Sequence, residues 1–242
     1  MTVHRWAEAN REILREVLPE ALVLLPLGAT EQHGPHLATG TDALLATESC
    51  VRAAEAVADE CPRPLVIAPT LPFGASDHHL AFGGTLSLTP STLLSVLGDV
   101  ARSVAVQGGR RLVLVNGHGG NIGVCRSVAE ITSAHHDIAV AAVNYWPFAD
   151  PAGVRAPGHA GEFETSVVLA IDPTLVGETE PRDAEPPLPE LADVEIHTAK
   201  LWQDINGYTD LPARADARRG RTWLTQIVSG LGAAIVELAR ML

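Results

Sequence analysis

The chain predicts a three-layer α/β/α sandwich with a mostly parallel central sheet, and three observations predict it. Short apolar runs alternate with longer segments of helical period. The runs are apolar at consecutive positions rather than at every second one, as in strands covered by helices on both faces. A length of 242 residues suffices for one substantial core, and residues 1–242 are read as a single domain without internal repeats.

The elements follow in order. Residues 5–18 place Trp6, Ile13, Leu14 and Val17 at helical spacing, and Pro19 ends the pattern. "ALVLLPLG" at 21–28 predicts the first strand, and "PLVIAPTLPFG" at 64–74 the second. The runs at 111–120 and 138–146, "RLVLVNGHGG" and "IAVAAVNYW", predict two more. Between them the segments starting at 42, 89 and 121 have helical character; Thr89 followed by Pro90 is a good N-cap and first-turn pair. The Pro- and acid-rich stretch 178–200 predicts a surface excursion, and the last 20 residues a closing helix.

Composition narrows the function classes. Hydrophobic residues are 46% and charged ones 19%, close to the globular average, so a folded core is expected. A net charge of -12 disfavours nucleic acid as a partner; the one short basic patch is "RADARRGRT" at 214–222. Cys50, Cys61 and Cys125 are widely spaced and predict free thiols in a reducing compartment. The N-terminal stretch lacks a signal-peptide pattern and no 18-residue apolar segment occurs, so a cytoplasmic protein without membrane association is expected.

Four stretches carry candidate chemistry. In "LPLGATEQHGPHLATGTDALLA" (25–46), Glu31, His33, His36 and Asp42 lie within twelve positions, where a strand should be ending. Two carboxylates and an imidazole suit a borderline divalent ion such as Zn, Mn or Fe(II). The alternative is that Asp42 caps a helix and the histidines decorate a loop. "LVLVNGHGGN" sets His118 after a strand, among Gly117, Gly119 and Gly120, which allow close approach of the backbone to a ligand. "GHAGEFETS" (158–166) groups His159, a candidate proton carrier, with Glu162 and Glu164. In "FGASDHHLAFGGTLSL", His79 is a candidate for lining a substrate pocket, alongside His78.

Together these four blocks resemble the creatininase family of metal-dependent amidohydrolases, in the family's order across residues 22–170. The resemblance implies two divalent ions per subunit: Glu31 and His118 on one, His33 on the other, and Asp42 between them. It implies proton transfer by His159, places the family's Glu at Glu164, and leaves His36 structural. Creatinine-hydrolysing members have an aromatic residue and a metal-binding Glu after the N-G-H histidine, where this chain has Gly119 and Gly120. Either Glu162 or Glu164 supplies the missing ligand, or the second ion is held more loosely. Those members also place a Trp where this chain has Arg155, so creatinine itself is not the expected substrate.

The expected activity is hydrolysis, by metal-activated water, of an amide C–N bond in a small molecule or short peptide, with His159 and Glu164 catalytic. His79, Gly119 and Glu162 are expected to touch substrate. A metal-dependent isomerase or lyase, or a non-catalytic metal-binding subunit, is the alternative. By resemblance the subunits assemble as a homo-oligomer, a hexamer.

Overall fold

The computed structural model describes residues 2–188, 194 and 196–242. Five strands form one sheet: β1 (Val3–Arg5), β2 (Leu22–Leu27), β3 (Leu65–Ile67), β4 (Arg111–Asn116) and β5 (Ala139–Asn144). They are ordered β1-β3-β2-β4-β5, and every pairing is parallel. The helices are α1 (Arg11–Val17), α2 (Thr41–Ala56), α3 (Pro90–Val106), α4 (Ile122–His135), α5 (Glu162–Ile171), α6 (Ala199–Asp204) and α7 (Ala217–Met241).

Helices cover both faces of the sheet, and the pleat divides the side chains between them. Val23, Leu25, Leu112 and Leu114 pack with Leu14 of α1, Leu93 and Leu97 of α3 and Val128 of α4. Their neighbours in the chain, Leu22, Leu24, Val113 and Val115, pack against Ala53 of α2 and Leu231 and Ile235 of α7. This two-sided burial is the physical reason that β2 is buried at all six positions.

Three boundaries differ from the sequence pattern. The helix expected from residue 5 starts at Arg11, because the Asn10 side chain accepts hydrogen bonds from the Glu12 and Ile13 amides at 3.0 and 3.1 Å. The residues before it supply β1, an edge strand too short to show a period. The run 64–74 is a strand only over Leu65–Ile67, since Pro69 and Pro72 carry no N–H for the ladder. Thr89 caps α3 as expected, its hydroxyl accepting from the Thr92 amide at 3.2 Å.

Contrary to the reading that no 18-residue apolar segment occurs, α7 is by length and composition apolar enough to cross a membrane. Here it is a core helix: Trp223, Leu224 and Ile227 pack against α5, while Leu231 and Ile235 pack on the sheet. Cys50, Cys61 and Cys125 are buried free thiols.

Candidate metal centre

The carboxyl ends of β2 and β4 point into a cluster of buried carboxylates and imidazoles, the region where ligands collect in parallel sheets. The loop after β2 is tied down at both ends: the Glu31 amide donates to the Thr39 carbonyl at 2.9 Å, and His33 bridges to Leu37. His33 Nδ1 bonds the carbonyl of Glu31 at 3.0 Å, leaving Nε2 directed at Asp42 Oδ1, 3.1 Å away.

Asp42 stands in the first turn of α2, yet it does not cap that helix. The N-cap is Gly40, without a side-chain cap bond. Both Asp42 oxygens face imidazoles instead, Oδ1 toward His33 and Oδ2 at 3.1 Å from His118 Nδ1.

His118 follows β4 on a loop held by two asparagines. Asn116 accepts from the His118 amide at 3.1 Å and donates to its carbonyl at 2.8 Å. Asn121 reaches the Gly28 carbonyl at 3.0 Å and accepts from the Ala75 amide at 3.0 Å, joining three loops. A side chain at Gly120 has no room, because its Cβ would lie 2.4 Å from both Ala75 O and His118 Nε2.

The other members arrive from distant segments. His159 Nδ1 lies 3.4 Å from Glu31 Oε1, and its Nε2 lies 2.9 Å from the Gln32 carbonyl. Glu164, at the start of α5, accepts from the Ala160 amide at 2.6 Å and groups with His33 and Asp42. His78 groups with Glu31 and His118, while His79 Nε2 lies 3.7 Å from Glu31 Oε1. Trp202 of α6 stands over His79 and His159, with ring centroids 4.5 and 5.2 Å apart. His78, His79, His118, Gly119, His159 and Trp202 line a cavity of about 530 Å³ above the buried carboxylates.

Six of the residues singled out from sequence therefore meet: Glu31, His33, Asp42, His118, His159 and Glu164. Glu162 does not join them. It pairs with Arg219, donates its amide to Asp210 and does not line this cavity. Its carboxylate forms an ion pair between α5 and α7. His36 lies one layer below, with Nε2 3.1 Å from the Thr165 hydroxyl. His78, Gln32 and Trp202 were not assigned a role from sequence. His78 adjoins a flagged histidine, but Trp202, just past the acidic excursion, has no local signal.

The electrostatics are those of opposed charges held out of water. Burial opposes ionisation of Glu31, but His118, His159 and His33 outweigh it and hold its carboxyl well below the usual range. Burial also opposes protonation of His33, yet Asp42 and Glu164 raise it to about 10. Burial pushes the Glu164 carboxyl up to about 8, against His33 and with help from Asp42. Burial and the neighbouring His33 lower His159 to about 3, so it is neutral at physiological pH.

A divalent ion fits this donor set. Both carboxylate oxygens of Glu31, Asp42 Oδ2 and His79 Nε2 are buried without a hydrogen bond, an expensive arrangement for polar atoms. Their close approach to imidazole nitrogens without hydrogen-bond geometry is the arrangement of lone pairs converging on a cation. Three trios have ligand atoms mutually within 4.8 Å: Glu31–His33–His159, His33–Asp42–Glu164 and Glu31–His78–His118.

Known proteins place this centre in context. A mycofactocin precursor peptide peptidase from Mycobacterium ulcerans (strain Agy99) is 38% identical over 158 residues, 64% of this chain and 60% of that protein. A creatinine amidohydrolase from Pseudomonas putida is 35% identical over 179 residues, 65% of this chain and 66% of that protein. The chain thus spans about 60% of the length of the mycobacterial relative that it matches. A solved manganese creatininase has a TM-score of 0.78 at 28% identity, covering 98% of each chain. A Zn–Zn type creatininase mutant has the same score and coverage at 27% identity. The family model for creatininase, described as creatinine amidohydrolase, matches residues 6–235, and with the fold shared over nearly its whole length this chain belongs to the creatininase family.

Proposed function

We propose that the chain is a divalent-metal-dependent amidohydrolase that cleaves an amide C–N bond in a small molecule or short peptide. The observation that carries this is the buried convergence of Glu31, His33, Asp42 and His118, with carboxylate oxygens left unpaired. Two ions per subunit are proposed, Zn, Mn or Fe(II): one on Glu31 and His118, the other on His33 and Glu164, with Asp42 between. The grouping of Glu164 with His33 and Asp42 supports it, rather than Glu162, as the replacement ligand.

Divalent ions bound there would lower the pKa of a coordinated water toward neutrality and polarise the amide carbonyl. The protein's own part is proton handling and placement. With Nε2 of His159 donating to the Gln32 carbonyl, its Nδ1 lone pair faces the site and accepts the proton released as water attacks. The same nitrogen returns that proton to the departing amine. His79, Gly119 and Trp202 line the space in which the substrate lies.

Creatinine and a mycofactocin precursor peptide are what the named relatives act on. The Gly119–Gly120 pair and Arg155 favour an amide other than creatinine for this chain. A homo-oligomer in the cytoplasm is proposed with it, in keeping with three unpaired buried thiols.

The test is elemental analysis of the purified protein together with an amide panel run in ¹⁸O-labelled water. Hydrolysis incorporates one solvent oxygen into the acid product. Conversion without incorporation points instead to an isomerase or lyase, and tightly held metal without turnover to a binding subunit.

A further inference from the structure

Resting on that amide-hydrolase reading, we infer that the substrate carries an elongated, carboxylate-ended arm, held in a second cavity that opens from the metal pocket. The inner cavity of about 530 Å³ already falls within the usual size of a small-molecule site. A second one, of about 650 Å³, lies between the N-terminal halves of α3 and α4. Both are lined by Gly119, Gly120 and His197, so the two adjoin along that edge. A compact ring bound beside the carboxylates would leave the outer cavity unused; a chain-like substrate fills both.

The outer cavity has the chemistry of such an arm. Leu94, Ile122 and Val124 supply apolar surface, and Ile122 is 40% exposed although it faces a cavity. Arg126 stands one helical turn beyond Ile122, a rise of about 6 Å, or roughly two residues of extended chain. Among the described residues it is the one Arg or Lys lining either cavity. The inner cavity has Asp77 in its wall and the buried carboxylates beneath it. The divalent ions proposed at the inner centre would offset its carboxylates, so the direction in which the substrate lies is set by Arg126, which attracts an anionic end to the outer cavity.

In a peptide the free carboxylate is on the amine side of the scissile bond. Hydrolysis breaks the C–N bond, adding OH to the carbonyl carbon and H to nitrogen. The acid product is released into the inner cavity, and the amine product, bearing the carboxylate, remains along α4.

Passage between the cavities runs over Gly119. A Cβ there would meet nothing within 4 Å, and its backbone is not in the left-handed region, so a side chain is tolerated but intrudes on the opening.

The probes are malonyl hydroxamates extended by one to four alanines, each ending in a free carboxylate or an amide. They are titrated calorimetrically into the manganese-loaded full chain, because hydroxamates resist cleavage. Affinity should rise with each alanine up to about three, and the acids should bind about threefold more tightly than the amides, the size expected of a half-open ion pair. Arg126→Glu should reverse that preference, and Gly119→Leu should flatten the length dependence to the value of the shortest probe; circular dichroism checks folding of both. A length-independent affinity, equal binding of acids and amides, or an unchanged preference in Arg126→Glu overturns the proposal. Unmodified alanine peptides separate it from the broader reading. A ladder in binding without hydrolysis of any amide removes the hydrolase and keeps the cavity's role, whereas hydrolysis of short amides with a flat ladder does the reverse.

Discussion

The two walls of the inner cavity are built in opposite ways. On the sheet side, His118 in the wall and Glu31, His33 and Asp42 beneath it are almost fully buried, and their loops are cross-linked by Asn116 and Asn121. On the other side, Leu201 and Trp202 sit on α6, a six-residue helix whose Thr198 cap and Lys200–Asp204 pair are exposed. In the proposed function, chemistry that demands fixed ligand geometry sits on strand ends and selection among substrates falls to a short, lightly anchored element. A wall of the second kind changes at small cost to the fold.

Substitutions on the two sides should therefore fail differently. The largest effect is expected from Asp42→Ala, which should abolish both metal content and turnover, at least about 1,000-fold in kcat. Retention of two ions by this variant, seen in elemental analysis, would remove the bridging role.

Next comes Gly120→Ala. Its Cβ would lie 2.4 Å from His118 Nε2 and Ala75 O, so His118 must shift. A loss of about 10- to 100-fold in metal affinity is expected, together with roughly 1–3 kcal/mol of stability. Competition with a chromophoric chelator and chemical denaturation read the two separately. Wild-type metal affinity in this variant would show that the loop is softer than its hydrogen bonds suggest.

Trp202→Ala tests the opposite wall. Here metal content should stay at the wild-type level while KM rises about tenfold, the loss of one aromatic contact surface. Should metal be lost as well, the walls are not separable.

The smallest effect concerns the layer beneath. Burial holds His36 at about 4, below its ordinary value, so the unfolded chain binds more protons than the folded one between about pH 6.5 and 4. Stability from this group is present above pH 6.5 and declines as pH falls through that window. His36→Gln should make the fall in melting temperature over this range shallower, which thermal scans at several pH values measure.

Much of the sheet-side wall was legible in sequence. Glu31 and His118 each follow an apolar run and stand near glycines, local signals that a strand is ending and the backbone is turning, while Asp42 follows Gly40 at the start of an apolar helical segment. The helix-cap alternative for Asp42 was open until its oxygens were seen to face His33 and His118. Glu162 and Glu164 could not be told apart by pattern, being two positions apart on one helix start. Their partners decide between them: Arg219 from α7 takes Glu162, while Glu164 turns toward His33 and Asp42. Trp202 and β1 had no local mark at all, the first a lone aromatic beyond the acidic stretch, the second three residues that become a strand only by pairing with β3.

The order of strands and helices, the residues facing the core and the loops bearing ligands were determined by the chain itself, because apolar period and turn chemistry act over a few neighbours. Which carboxylate reaches the centre, which histidines gather around Glu31, and what closes the cavity above them were decided only by the tertiary structure. Those outcomes depend on distances between segments far apart in the chain, such as those of Gln32 and His159, 127 positions from each other, and no local pattern encodes a distance of that kind.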